Sequence, residues 1–308
     1  MKKYLLVLAV VLVSACTQPT SPIIASNGLK ITNFAVEPSE IYSGSTVRLT
    51  LDVENEGGTI VKNISSIVKL DGASLNLFDT TGFYWYNPTE SYTKFFDKDL
   101  RPSNPLTNTP ADSKTLSWVL IAPNVSYGQT RTYVFTSQIY YDYETTGSGT
   151  MWVYSSKEAD AIRATGGSLN KANFTSAKSP VSVDMRVSPA DPVVLFGNEN
   201  KFSIFMEISN NGDGAILEPG AISYTGNLSD LQFKPEKINK VDISFDSPGL
   251  TISDCKGIQE LQLNKKTTLI CNILINNPPT SSASYSFQYS VKFIYLIAKS
   301  LTAKVSGV

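Results

Sequence analysis

The feature that most constrains this chain is a strand pattern that occurs twice. In "VRLTLDVENEGG" and in "KFSIFMEISNNGDG", apolar side chains occupy every second position, and each run ends at an Asn-x-Gly turn, Asn55 to Gly57 and Asn210 to Gly212. The apolar positions are Val47, Leu49, Leu51 and Val53 in the first segment and Phe202, Ile204, Met206 and Ile208 in the second. A period of two predicts strands with one face buried, and Asn and Gly suit tight turns.

The sequence around these strands also corresponds. Val36 and Pro38 precede the first strand as Val187 and Pro189 precede the second. Each half then closes with an aromatic strand, a polar turn and a final strand: "TYVFTSQIYYDYETTGSGTMWVYS" and "SYSFQYSVKFIYLIAKSLTAKVSG", with Tyr143 and Tyr295 at equivalent places. The chain is therefore predicted to be all-β, with two tandem antiparallel β-sandwich domains at residues 29–155 and 181–308.

Residues 156–180 separate the two copies and are poor in large apolar side chains. Residues 157–164 favour one or two helical turns capped by Ser155 or Ser156. The remainder is predicted to be a loop or flexible linker, because small polar residues dominate it.

The N-terminus has the features of an export signal. Lys2 and Lys3 precede a short apolar run that ends at Ala15, too short for a spanning helix, and Val13-Ser14-Ala15-Cys16 resembles a lipoprotein lipobox. This predicts a signal peptide at residues 1–15, a lipid on Cys16 and a tether at residues 16–28. The chain would then be exported and held on the extracellular face of the cell membrane. An ordinary signal peptide or an uncleaved anchor is the alternative.

The cysteine count agrees with export. If Cys16 carries a lipid, Cys255 and Cys271 remain as a pair, in two apolar-patterned segments on either side of a polar turn. Neighbouring strands would bring them together as a disulfide, which persists in oxidising compartments. Two buried free thiols are the alternative. A zinc site is disfavoured, because two sulfurs without any histidine fall short of four ligands.

The absence of histidine also restricts chemistry. With no His in 308 residues, Ser-His-Asp and Cys-His sites are excluded. Glycosidase chemistry that uses carboxylates alone remains possible, and its candidate pairs are Asp52 and Glu54, Asp97 and Asp99, and Asp142 and Glu144. Alternation along strands and loops explains these pairs without catalysis. We therefore expect no enzyme, no cofactor and no metal. Because 26 basic and 27 acidic residues balance, we also expect no nucleic-acid partner.

A family resemblance follows from the strands that end in Asn-x-Gly, from "SWVLIAPNVSYGQTRTY" and from "YYDYETT". These elements look like the cell-adhesion-related and S-layer-associated immunoglobulin-like repeats of prokaryotic cell-surface proteins, which are abundant in archaeal envelopes. The resemblance covers most of residues 29–155 and 181–308. It implies two immunoglobulin-like domains that act as spacers or binding modules, and it carries no catalytic residues.

Asparagine sequons suggest a second modification. Asn63, Asn124, Asn173 and Asn227 each begin an Asn-x-Ser/Thr triplet and are predicted to lie in turns or loops. Such positions could carry oligosaccharides in an archaeal host. Chance occurrence in a chain rich in Ser, Thr and Asn is the competing explanation.

The segment "TGFYWYNPTESYTKFF" is the best place to look for a binding site. Consecutive aromatic residues cannot all face one core from a strand, so some of Tyr84, Trp85 and Tyr86 should be exposed. Exposed aromatic rings with polar groups suit sugar stacking or a protein interface. The competing interpretation is an insertion packed on its own sandwich.

The predicted function is thus a membrane-anchored envelope module, structural or adhesive, that binds another envelope protein or a glycan. A carbohydrate-binding accessory lipoprotein that uses the aromatic segment 83–96 is the second hypothesis. A carboxylate-only glycosidase is the third.

Overall fold

A computed structural model describes residues 28–72, 75, 82–87, 91–223, 232–262 and 266–308. The elements of the first half are β1 (Leu29–Glu37), β2 (Ile41–Tyr42), β3 (Thr46–Asn55), a 3₁₀ turn (Asn63–Ser65), β4 (Ser66–Asp71), β5 (Thr93–Phe95), β6 (Ser113–Ile121) and β7 (Thr130–Ser155). They are followed by α1 (Ser156–Ala164), β8 (Asn173–Ser176), β9 (Val181–Ser188), β10 (Val193–Leu195), β11 (Lys201–Asn210), β12 (Ala215–Leu217), β13 (Ile222–Ser223), β14 (Gln232–Phe233), a 3₁₀ turn (Pro235–Lys237), β15 (Lys240–Asp246), β16 (Leu250–Ser253), β17 (Gly257–Glu260), β18 (Thr267–Ile275) and β19 (Ser282–Ser306).

The fold is all-β and built mainly from antiparallel sheets, as predicted. A three-stranded sheet has the order β1-β3-β6, and a four-stranded sheet has the order β16-β18-β11-β9. Both lie against one large sheet with the central order β17-β15-β19-β7-β4-β5, to which β2, β8, β10 and β12 add short edges. The apolar faces predicted for β3 and β11 are buried: Val47, Leu49, Leu51 and Val53, and Phe202, Ile204, Met206 and Ile208.

A long two-stranded ladder forms the centre of the large sheet. β7 and β19 pair antiparallel without interruption from Thr130 opposite Ser306 to Tyr154 opposite Ser282. At about 3.3 Å per residue, the 26 residues of β7 span about 85 Å. The polar turns predicted within these two segments are therefore wrong, because both segments remain extended.

Two glycines explain why the "ETTGSGT" stretch continues as a strand. A Cβ atom at Gly147 would lie 2.3 Å from the Tyr289 ring, and one at Gly149 would lie 2.5 Å from the Phe287 ring. The glycines therefore make room for aromatic side chains of the neighbouring strand rather than forming a turn.

The two halves share this ladder. Near its centre the Leu29 N–H at the start of β1 donates to the Tyr141 hydroxyl (3.0 Å), and the Thr145 hydroxyl donates to the Val181 carbonyl at the start of β9 (3.2 Å). The three-stranded sheet thus covers one end of the ladder and the four-stranded sheet covers the other. The tandem arrangement predicted from sequence did not include this continuous sheet, since strand periodicity does not reveal pairing partners.

The halves are related by an approximate two-fold axis. Tyr143 and Tyr295 occupy equivalent positions, and their hydroxyls accept hydrogen bonds from the Gly58 and Gly214 N–H groups at 3.0 and 2.9 Å. The axis passes near the ladder pair Asp142–Ile294. We call this region, where the Asn-x-Gly turns also lie, the waist, and the two ends of the ladder the first and second tips.

The Asn-x-Gly turns have the same geometry in both halves. The Asn55 and Asn210 amides donate to the carbonyls of Thr59 (2.9 Å) and Gly214 (2.7 Å). Their Oδ1 atoms accept from the N–H groups of Gly57 (3.0 Å) and Gly212 (3.2 Å). The predicted correspondence between these turns is confirmed.

The segment between the copies is more ordered than a linker. Helix α1 forms where predicted, and the Ser155 hydroxyl accepts from the Glu158 N–H at 3.3 Å. Residues 173–176, however, form β8 and pair with residues 147–150 of β7. The predicted loop is wrong at this point, because a short polar strand at a sheet edge lacks a strong apolar pattern.

Candidate functional site

The candidate site lies at the first tip, where the aromatic segment meets the loop after β6. The Asn124 N–H donates to the Gly82 carbonyl at 2.6 Å, so residues 82–84 lie beside this loop. Phe83 is 66% exposed and Tyr84 is 45% exposed. Aromatic side chains of the segment therefore reach the surface, as the sequence predicted.

The position of Trp85 corrects the prediction that its ring is exposed for binding. Its side chain is fully buried and makes edge-to-face contacts with Tyr133 and Phe135, at ring-centre distances of 5.6 and 5.0 Å. A buried indole cannot stack on a sugar, so the exposed role expected for Trp85 is wrong. Tyr86 is half-buried, and its backbone pairs with Ile121 of β6. Tyr84 remains as the exposed member of the predicted trio.

Two further tyrosines, which were not predicted from the sequence, lie at the same tip. Tyr127 is 88% exposed in the loop that Asn124 belongs to, and Tyr42 is exposed at the end of β2. The Ser43 hydroxyl joins these segments, since it accepts from the Val125 N–H (2.8 Å) and donates to the Val125 carbonyl (3.1 Å). The turn signal in "SYGQT" could have located Tyr127. We call Tyr42, Phe83, Tyr84 and Tyr127 the aromatic tip.

Hydrogen-bonding groups surround these rings. The Tyr42 hydroxyl donates to Glu40 Oε2 at 3.3 Å, and Asn124 and Ser126 are exposed in the adjoining loop. Exposed phenol rings beside a carboxylate and small polar side chains can stack on sugar faces and bind sugar hydroxyls. The second tip differs, with Phe196 as its large exposed aromatic residue.

The sequons fall in different environments. Asn124 is exposed in the loop of the aromatic tip, and Asn63 is partly exposed at the 3₁₀ turn before β4. Asn173 is exposed but lies in β8, so its predicted loop location is wrong. Asn227 lies outside the described residues. Use of these sequons stays a prediction.

Each of the three carboxylate pairs has at least one member in contact with nearby polar groups. Asp52 accepts from Asn33 Nδ2 (3.1 Å) and Thr115 Oγ1 (2.5 Å). A hydrogen bond from Lys114 lowers the pKa of Asp97, and the Asn63 N–H donates to Asp99 Oδ1 at 2.9 Å.

The third pair is at the waist, on the outer face of the ladder. Burial raises the pKa of Asp142, while a hydrogen bond with Ser65 opposes that effect. Glu144 lies 3.9 Å from Lys292 Nζ. Across the described ranges, no group of three or more His, Cys, Asp or Glu side chains is placed to hold a metal ion.

The predicted disulfide is present. Cys255 follows β16, Cys271 lies in the neighbouring β18, and their Cα atoms are 5.1 Å apart. Both residues are buried. The bridge therefore fastens the edge of the four-stranded sheet through adjacent strands, as the sequence anticipated.

The N-terminal predictions lie outside the described residues, including the signal peptide, Cys16 and the tether. Within the part of the chain that the structure describes, no helix has the length and apolar character needed to cross a membrane.

Comparisons with known proteins give only distant similarities. No protein-family model and no curated protein matches the sequence. Among solved structures, the native conformation of E. coli alpha-2-macroglobulin is 11% identical with a TM-score of 0.22, covering 92% of this chain and 17% of that one. Red sea bream transglutaminase is 9% identical (TM-score 0.18, 90% and 31% covered). The Enterococcus faecalis MSCRAMM ACE, which binds its ligands by the collagen Hug model, is 7% identical (TM-score 0.17, 90% and 95% covered).

This chain thus spans less than a third of the macroglobulin and transglutaminase chains named here. At these TM-scores the similarities support no argument about function.

Proposed function

We propose that this protein is a non-catalytic module of the cell envelope that presents a binding surface at one end of an elongated β-structure. The observation that carries the proposal is the aromatic tip, where Tyr84 and Tyr127 are exposed on loops joined by backbone hydrogen bonds. Because tyrosine combines an apolar ring with a hydroxyl, such a surface suits a glycan or a partner protein of the envelope.

Two further observations support an extracellular setting. The Cys255–Cys271 disulfide is typical of oxidising compartments. The Val13-Ser14-Ala15-Cys16 sequence supports a lipid anchor on the outer face of the membrane, because it has the residue order of a lipobox. The resemblance to prokaryotic immunoglobulin-like surface repeats is consistent with the same role and with an archaeal envelope.

Of the possible partners, we favour a glycan. The aromatic tip offers planar rings beside Glu40 and Asn124, and sugar recognition combines ring stacking with polar contacts. This gives the carbohydrate-binding hypothesis a different set of residues from the sequence prediction, with Tyr42, Phe83 and Tyr127 in place of Trp85 and Tyr86.

Retention on immobilised envelope polysaccharide tests this proposal. A double Tyr84→Ala, Tyr127→Ala variant should lose at least tenfold in affinity, since each stacked ring contributes on the order of 1 kcal/mol. Phe196→Ala at the second tip is the matched control and should bind normally. Equal retention by all three proteins would remove the aromatic tip as the binding surface.

Trp85→Ala separates folding from binding at this tip. Truncating a fully buried tryptophan should lower the free energy of unfolding by about 3–5 kcal/mol. Tyr127→Ala should change it by less than about 0.5 kcal/mol, because its side chain is almost fully solvated. Urea unfolding of both variants measures the difference, and a stable Trp85→Ala protein would contradict the assignment of Trp85 to the core.

A further inference from the structure

The approximate two-fold axis shows that one strand position is filled in the second half and has no described counterpart in the first. In the second half, β8 and β10 lie along the outer edge of β7, with β10 parallel and Val193 opposite Val153. In the first half, β2 takes the place of β10 along β19, again parallel, with Ile41 opposite Val305. No strand of the described ranges pairs with β19 at residues 297–304, where the counterpart of β8 belongs.

β8 closes the side of the second sandwich. Phe174 packs against Phe287 with ring centres 6.1 Å apart, and the Thr175 and Ser148 hydroxyls lie 2.9 Å apart. The Tyr289 hydroxyl donates to the Thr175 carbonyl at 3.2 Å. The position thus accepts a short extended segment with one large apolar side chain turned to the core and small polar side chains facing outward.

The edge of β19 at the equivalent position has matching features. Lys299, Ser300, Thr302 and Lys304 are exposed, while Leu301 is half-buried against the core. Lys299 belongs to the row of alternate residues that faces the core elsewhere along β19, as Phe293 and Tyr295 do. Lys299 is thus exposed within a row that is mostly buried. Its exposure marks the place where the side of the first half is open among the described residues.

The chain itself supplies a candidate for this position. β8 directly precedes β9, whose first residue Val181 pairs with Asn210, just as Leu29 of β1 pairs with Asn55. Aligning these two starts places "TSPIIASN" of residues 20–27 against "ANFTSAKS" of residues 172–179. Pro22 and Ile24 then fall at the core-facing positions of Phe174 and Ser176, and Ile23 falls at the outward-facing position of Thr175.

We propose that residues 20–27 dock on the edge of β19 at residues 297–304, as the first-half counterpart of β8. The alternative occupants are a strand from a second copy and a strand from a partner protein. The chain's own segment is favoured because it enters directly at Gly28 and carries two adjacent isoleucines. Backbone pairing would also cover an edge that otherwise offers itself to foreign strands.

The docking has a consequence for the proposed anchor, and this step alone rests on the proposed function. A fully extended chain from Cys16 to Gly28 reaches about 40 Å. With residues 20–27 docked, the free spacer from Cys16 reaches only about 14 Å. The segment would then hold the first half close to the membrane instead of lifting it away.

Hydrogen exchange of the β19 amides tests the docking in the full chain. The double variant Ile23→Asp, Ile24→Asp should speed exchange in residues 297–304 by about tenfold or more, because the added backbone hydrogen bonds are lost. Hydrogen exchange of residues 147–150 of β7 is the internal control in the same variant. Their exchange rates should not change, because β8 pairs with them.

Thr17→Asp, Gln18→Asp is the matched control, with the same added charge outside the docking segment, and should exchange like the parent. Equal exchange in the parent and in the Ile23→Asp, Ile24→Asp variant would overturn the proposal. Protection of residues 297–304 that depends on protein concentration would overturn it too, because it would assign the edge to a second copy. The measurement needs neither a lipid on Cys16 nor a ligand, so its failure is distinguishable from failure of the proposed function.

Discussion

Tyr295 illustrates how single side chains hold the waist together. Its hydroxyl accepts from the Gly214 N–H (2.9 Å) and donates to Asn210 Oδ1 (2.9 Å), which joins the ladder to the Asn-x-Gly turn of the second half. Burial of the ring raises the pKa of Tyr295 to about 12, because the charged phenolate would lose its hydration. The same hydroxyl therefore stabilises the Asn-x-Gly turn of the second half and makes the stability of the fold depend on pH in the alkaline range.

Tyr295→Phe should lower the free energy of unfolding by about 1–3 kcal/mol at pH 7, because the partly buried Gly214 N–H loses its acceptor. The parent protein should also lose stability as the pH rises from about 10 towards 12. In that range the unfolded chain has released the tyrosine proton, with a pKa near 10, while the folded chain still holds it. Urea unfolding at pH 7 and pH 11 measures both effects.

Tyr127→Phe is the control for this pH response, since its exposed hydroxyl should leave stability unchanged. In Tyr295→Phe the alkaline loss of stability should be smaller than in the parent. An identical loss in the two proteins would show that Tyr295 does not cause it.

At the scale of elements, the disulfide ties the end of β16 to β18 in the smaller sheet of the second half. The cysteines are 16 residues apart, and closing a loop of this size stabilises the folded state by about 3 kcal/mol in the chain-entropy model. Reduction, or the double variant Cys255→Ser, Cys271→Ser, should lower the free energy of unfolding by that amount. Denaturant unfolding with and without reductant checks the value.

The double serine variant also serves as the control for that experiment. It should unfold at the same denaturant concentration with or without reductant, close to the reduced parent. A parent protein that is insensitive to reductant would contradict a stabilising role for the bridge.

Elements whose residues alternate strongly were predictable, and those defined by their neighbours were not. The faces of β3 and β11, the Asn-x-Gly turns and the Cys255–Cys271 bridge follow from short-range patterns. The continuous β7–β19 ladder does not, because Gly147 and Gly149 resemble a turn until the rings of Tyr289 and Phe287 are seen beside them. Trp85 fails for a related reason: alternation shows that neighbouring aromatics face opposite sides, but it does not show which side is the core.

At the scale of the whole molecule, the shared ladder predicts that the halves fold as one unit. β7 runs from the first tip to the second tip, and β19 runs in the opposite direction. Each half therefore needs a strand segment from the other half to complete its part of the large sheet. Buried residues from both halves, such as Leu49 and Ile204, belong to one continuous core. A folded first half beside an unfolded second half would leave half of each long strand unpaired.

Leu49→Ala and Ile204→Ala test this cooperativity at equivalent core positions of β3 and β11. Each should lower the free energy of unfolding by about 2–5 kcal/mol, since both side chains are buried. If the ladder couples the halves, each protein should show one calorimetric transition whose calorimetric and van't Hoff enthalpies agree. Two resolved transitions, each shifted by only one of the substitutions, would instead show two independent domains joined by strand pairing too weak to couple them.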